Sequence, residues 1–213
     1  TYSTSESIEI TKMADSLGVD GIMIVTPYYS KPSQHGILRH FEEISKITDL
    51  PIMAYNIPGR TSTLIELETL QTLVDDIGIH SIKDAVGDFE FSKKQLELLK
   101  DKVDIYSGND NQTYDFVING GVGVVSVASH VVGDEISEMI SFAKDNDLEK
   151  AEEINMQLSN LFEAIFEEPS PGPIKKILSE SWEEVGEPLL PITSITPELA
   201  NKIRGFYKKI KEN

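Results

Sequence analysis

Five short runs rich in Val and Ile punctuate the chain: Gly21 to Thr26, Pro51 to Asn56, Ile79 to Ala85, Val103 to Ser107 and Gly123 to Ala128. Their starts lie about 20 to 30 residues apart, and amphipathic stretches with helical periodicity fill the intervals. A buried strand followed by a helix, repeated at that interval, is the rhythm of consecutive βα units in a parallel sheet or barrel.

The helices carry their own punctuation. Ser3 and Glu6 stand in capping-box spacing with Gly18 as the C-cap, and Thr63 with Glu66 repeats the box before a later helix. Gly120 and Gly121 follow the helical Tyr114 to Ile118 and precede a strand, so they predict a C-cap and tight turn rather than a phosphate cradle. After Ala128 the strand signal stops, and Leu148, Ala151, Ile154, Leu158, Leu161, Phe162 and Ile165 mark one apolar face of a long helix. Ser170-Pro171-Gly172-Pro173 breaks it from the next, and Thr196-Pro197 supplies an N-cap and N1 proline for a final helix reaching about Lys211. The expected organisation is a partial (β/α) barrel over residues 1–133 and helices over 134–213, with no Gly/Ser-rich linker between them.

At 213 residues, 39% hydrophobic and 26% charged, the composition is that of a compact globular unit and not of a disordered or collagen-like chain. With 36 acidic against 19 basic residues the net charge is -17, a field that repels phosphate backbones and anionic lipids, so neither nucleic acid nor membrane is an expected partner. No apolar run approaches the roughly 18 residues of a membrane span, and Thr1 to Ile10 is polar rather than signal-like, which predicts a cytoplasmic protein. The absence of cysteine removes thiolate chemistry, and His35, His40, His80 and His130 lack zinc-site spacing, so no metal is expected. The opening at Thr1, directly at a helix start, predicts a piece of something longer.

Lys83 lies near the C-terminal end of a buried strand, in His80-Ser81-Ile82-Lys83-Asp84-Ala85. Desolvation lowers a lysine's pKa toward the range where a free amine attacks carbonyls; a snorkelling lysine, or one paired with Asp84, is the structural alternative. Tyr55 ends another strand, where a phenol can relay protons or simply line a rim. Arg60 follows in Gly59-Arg60-Thr61, placed to grip a carboxylate bidentately or to sit in solvent. Tyr28 and Tyr29 follow the first strand as an interface patch or site lining. A parallel barrel brings successive strand ends onto one face, so amine, phenol and guanidinium converge there, a set suited to condensing or cleaving a keto acid.

These segments resemble the dihydrodipicolinate synthase family of class I pyruvate-dependent aldolases. The resemblance runs in order through Val25-Thr26-Pro27-Tyr28-Tyr29-Ser30-Lys31-Pro32-Ser33-Gln34, Tyr55-Asn56-Ile57-Pro58-Gly59-Arg60-Thr61, Ile82-Lys83-Asp84-Ala85, Tyr106-Ser107-Gly108-Asn109-Asp110 and Gly120-Gly121-Val122-Gly123-Val124-Val125-Ser126. It continues into Pro169 to Lys175, covering essentially the whole chain. It implies a (β/α)8 TIM barrel lacking its first three strands, followed by a C-terminal helical region. It further implies Lys83 as the Schiff-base lysine for pyruvate, Tyr55 as the proton-shuttling tyrosine and Tyr29 as a catalytic tyrosine inserted into a neighbouring subunit's site. Arg60 would grip the carboxylate of aspartate semialdehyde, Val125 would contact pyruvate, Gly108 would border the substrate, and Tyr28 would line a lysine feedback site.

The activity so implied is condensation of pyruvate with aspartate semialdehyde to 4-hydroxy-tetrahydrodipicolinate, in lysine and diaminopimelate biosynthesis, by a cytoplasmic homodimer or homotetramer. The electron sink is the imine on Lys83, so no cofactor is implied. Alternatives are a sibling aldolase acting on sialic acid or a 2-keto-3-deoxy sugar acid, and a non-catalytic scaffold or inactive fragment of the fold. Val86 replaces a small hydroxyl residue usual in the family, Leu189-Leu190-Pro191 lacks a common preceding arginine, and the Gly-Thr-Thr-Gly-Glu segment, whose threonine links the two site tyrosines, has no counterpart. An open barrel with edges near Gly21 and Gly123 is expected to be poorly stable and its site incomplete.

Overall fold

The computed structural model describes residues 1–212. The chain alternates helix and strand: α1 (Thr4–Ser16), β1 (Ile22–Val25), α2 (Gln34–Ser45), β2 (Ile52–Asn56), α3 (Pro58–Thr61), α4 (Leu67–Asp75), β3 (Ser81–Asp84), α5 (Phe89–Leu98) and β4 (Asp104–Ser107). A 3₁₀ turn (Asp110–Gln112), α6 (Thr113–Ile118) and β5 (Gly123–Val124) follow, then α7 (Ser129–Lys144), α8 (Leu148–Ala164), α9 (Gly172–Ser181) and α10 (Pro197–Lys211). Among the described residues no helix is long and apolar enough to cross a membrane.

Residues 1–109 with 119–125 form one compact unit. Its five strands make a single open sheet, all parallel, in the order β1-β2-β3-β4-β5. All five predicted strands are present, so the α/β class with a parallel sheet holds. Parallel neighbours need a crossover, and here α2, α4, α5 and α6 lie between successive strands in the chain. Ile37, Phe41 and Ile44 of α2, Leu70 and Leu73 of α4, and Ile52, Ala54, Ile82 and Ile105 of the strands are all buried, and each of the Ile, Leu and Phe side chains contributes about 1.5–3 kcal/mol.

Local chemistry sets the helix ends. Ser3 accepts the Glu6 N–H at 3.5 Å and Ser33 that of Gly36 at 3.2 Å, while Asp88 caps α5 through Glu90 N–H at 3.0 Å. Gly18, at φ +72°, supplies the left-handed residue that ends α1. The predicted Thr63–Glu66 capping box does not form. Glu66 itself is the N-cap of α4, and its N–H goes to Gln34 Oε1 at 3.1 Å, while Thr63 Oγ1 is buried without a partner. β5 is also shorter than the predicted run to Ala128, because the chain leaves the ladder after Val125 N–H bonds Ser107 O at 2.9 Å.

Residues 110–118 and 126–212 form a second, helical unit. Asp110, buried in the 3₁₀ turn, accepts N–H groups of Val127 at 3.2 Å and Ala128 at 3.0 Å and the hydroxyl of Ser126, diverting the predicted strand residues into the start of α7. α7 packs on α8, and α10 on α8 and α9, around buried Ile136, Met139, Leu158, Leu161, Phe162 and Ile203. Thr196 caps α10 by accepting the Leu199 N–H at 3.4 Å, with Pro197 at N1, as the sequence predicts. Arg204 then grips Glu180 with two nitrogens at 2.8 and 2.7 Å.

Candidate active site

Strand register builds the site. Val25 pairs with Tyr55, Tyr55 with Lys83, Lys83 with Tyr106, and Tyr106 with Gly123. Paired positions in a parallel sheet share a face, so Tyr55, Lys83 and Tyr106 stand side by side at the strands' C-terminal ends. Lys83 is only 9% exposed, and its Nζ lies 4.1 Å from the centroid of the Tyr55 ring, in cation–π range.

Room for that lysine depends on Gly108, just past β4. A Cβ there would fall 2.7 Å from Ala85 Cβ, 3.0 Å from Asp84 O and 3.1 Å from Lys83 Cε. The Gly108 N–H also donates to Asp84 O at 2.6 Å, drawing the backbone against the end of β3. Close approach, rather than a special φ, is what requires glycine at this position.

One residue further along the strands, Asn56, Asp84 and Ser107 pair in their turn and are buried on the opposite face. Asp84 accepts the Val86 N–H at 2.8 Å, the Ser92 hydroxyl at 2.9 Å and the Gln95 amide at 3.1 Å. Burial pushes its carboxyl above the usual range, and these three donors pull it partly back. The carboxylate is thus committed to α5 and to the turn after β3. Strand alternation turns it away from the face that carries Lys83, which counts against the sequence alternative of a Lys83–Asp84 pair.

Tyr55 is half-buried, and burial raises its phenol pKa while the Arg60 guanidinium opposes the rise. The phenol therefore keeps its proton at neutral pH. Arg60 itself is exposed, in the single turn of α3 directly after β2. Val125, half-buried, is tied beside the end of β4 by its bond to Ser107 O. Tyr29 stands apart, 90% exposed and with its backbone at φ +70°, a left-handed conformation uncommon for tyrosine. Tyr28 packs edge-on against Tyr2, ring centroids 5.9 Å apart. The structure adds Tyr106 to the row; its strand-end position, equivalent to that of Tyr55 and Lys83, is the sequence signal that marks it.

A sequence profile of the dihydrodipicolinate synthetase family matches residues 1–210. The chain belongs to this family. Among relatives, the 4-hydroxy-tetrahydrodipicolinate synthase of Microcystis aeruginosa is 46% identical over 209 residues, covering 98% of this chain and 70% of the relative. That of Desulforudis audaxviator is 40% identical over 208 residues, covering 98% of this chain and 71% of the relative. The crystal structure of the Cyanidioschyzon merolae synthase with lysine bound superposes with a TM-score of 0.95 at 39% identity, over 99% of this chain and 72% of that one.

Proposed function

We propose that this chain carries the chemistry of a 4-hydroxy-tetrahydrodipicolinate synthase. The observation that carries the reading is the Lys83 amine seated over the Tyr55 ring at 4.1 Å, at the C-terminal ends of adjacent parallel strands. The Lys83 amine adds to the keto carbon of pyruvate and water leaves, forming an imine. Loss of a methyl proton gives the enamine, whose carbon attacks the aldehyde of aspartate semialdehyde while the new alkoxide takes up a proton. The product's own amine then displaces Lys83 from the imine carbon, closing the ring and returning free lysine. The protein-bound imine is the electron sink throughout, so these steps call on no metal or organic cofactor.

Tyr55, whose burial favours the protonated phenol, is assigned to hand protons to and from the oxygen that leaves and the alkoxide that forms. Arg60, exposed past the end of β2, is assigned to the carboxylate of the aldehyde substrate, with Val125 and Gly108 bordering pyruvate. Tyr29, exposed and backbone-strained, is assigned to a neighbouring subunit's site in a homodimer or homotetramer, and Tyr28 to a lysine-responsive site. The five strands correspond in this reading to the last five of an eight-stranded barrel, with the helices after β5 as the C-terminal region, in a cytoplasmic enzyme. A span of about 70% of the relatives' length supports it.

The test is borohydride reduction with pyruvate followed by peptide mass spectrometry. A pyruvate-derived adduct on Lys83, with consumption of aspartate semialdehyde in a coupled assay, is the expected result. No adduct there, or turnover of sugar acids alone, overturns the assignment.

A further inference from the structure

The loop from β2 to α4, residues 57–66, carries Arg60 and is fixed at both ends. Its first foot is the turn of α3, where Ile57 O accepts the N–H groups of Arg60 and Thr61 and the Thr61 hydroxyl, all at 3.0 Å. Its second foot is residues 64–66, which bond to two carboxamides from opposite sides. Asn56, buried at the end of β2, donates from Nδ2 to Ile65 O and accepts the Ile65 N–H, both at 3.0 Å. Gln34 donates from Nε2 to Leu64 O at 2.8 Å and accepts the Glu66 N–H at 3.1 Å.

The geometry is that of a strand held between two neighbours. Extended backbone turns successive peptide groups to alternate sides, and a carboxamide carries the same donor and acceptor pair as a peptide. Each amide has a single orientation that satisfies both of its partners. Asn56 is anchored in the sheet, but Gln34 is the first residue of α2, five positions after Tyr29. Gln34 therefore ties the segment that follows the paired tyrosines to the loop that carries Arg60.

We infer that Gln34 is a positioning residue for the aldehyde substrate: by clamping Leu64 and Glu66 it sets where the Arg60 fork meets that substrate's carboxylate. This rests on the proposed assignment of Arg60. Pyruvate chemistry on Lys83, held by β3 and Gly108, does not pass through the clamp.

The test uses the protein as its gene encodes it, with Gln34→Ala, Gln34→Glu and Arg60→Ala, singly and as the Gln34→Ala/Arg60→Ala double variant. Gln34→Ala is expected to raise KM for aspartate semialdehyde about ten-fold, the scale of two lost hydrogen bonds and a displaced guanidinium. Borohydride trapping of pyruvate should stay within about two-fold of the parent, since the clamp does not hold Lys83. Gln34→Glu keeps the acceptor for Glu66 but sets a carboxylate oxygen against Leu64 O in place of the donor, so its KM for aspartate semialdehyde should rise at least as far as that of Gln34→Ala, with pyruvate trapping again within about two-fold of the parent. In the Arg60→Ala background Gln34→Ala should change KM no further, the non-additivity of residues acting through one group. Additive effects, an unchanged KM, or a fall in pyruvate trapping in step with aldehyde use would overturn the inference. Failure of the parent protein itself to consume aspartate semialdehyde would instead defeat the functional reading, before any variant is compared.

Discussion

Two neighbouring layers of the same strands behave in opposite ways. Tyr55, Lys83 and Tyr106 face one side of the sheet, while Asn56, Asp84 and Ser107, each one residue later, face the other. The second layer is polar and buried, and its groups are spent on structure: Asn56 on the backbone of Ile65, Asp84 on Val86, Ser92 and Gln95, Ser107 on Asn109. The first layer sets an amine against an aromatic ring and a phenol under the field of Arg60. Burial alone does not separate a functional polar group from a structural one. What the group is bonded to, and which face it occupies, does.

Replacing one residue in each layer breaks this contrast. Lys83→Ala should abolish turnover and borohydride trapping, a loss above roughly 10⁴-fold for a covalent nucleophile, with little change in circular dichroism. A collapse of the circular dichroism signal would make Lys83 structural. Tyr55→Phe, which keeps the ring under Lys83, should lower kcat by roughly 10²- to 10⁴-fold with melting nearly unchanged.

Across the strand, Asp84→Ala should act first on stability. It strands the Gln95 amide and the Val86 N–H and leaves the Ser92 hydroxyl only the Asp88 carbonyl at 3.2 Å, a cost of about 2 kcal/mol or more, visible as a lower denaturation midpoint. Unchanged melting with lost turnover would reverse the roles of the two layers.

An effect confined to acid pH is expected at His40, a residue of α2 buried and bonded to α1. Its Nδ1 meets Thr4 Oγ1 at 2.9 Å, and its Nε2 is buried without a partner. Burial first, and the positive Thr1 amine second, lower its pKa from 6.5 to about 4, so the fold favours the neutral ring. The unfolded chain then binds the proton more readily, and stability, full above pH 6.5, falls as pH drops toward 4. His40→Gln should flatten that part of a pH–denaturation series.

Much of this was legible in the chain. Val- and Ile-rich runs at βα spacing placed all five strands, and Ser3, Gly18, Thr196 and Pro197 placed helix ends, because caps act through neighbours in sequence. The misreadings have a common cause. The Thr63–Glu66 box fails because Gln34, about 30 residues earlier, takes the Glu66 N–H, and β5 stops early because Asp110 takes Val127 and Ala128. Both partners are distant in sequence, and short-range patterns carry no information about them.

The sequence by itself determined the alternation of strand and helix and the residue types that bear chemistry at strand ends. Only tertiary structure decided their register. One row joins Tyr55, Lys83 and Tyr106, and the adjacent row turns Asp84 away. A strand's alternation allows either face to be the working one, and the choice is made by what packs on each side: α5, through Ser92 and Gln95, claims Asp84, and Gly108 leaves its space to Lys83.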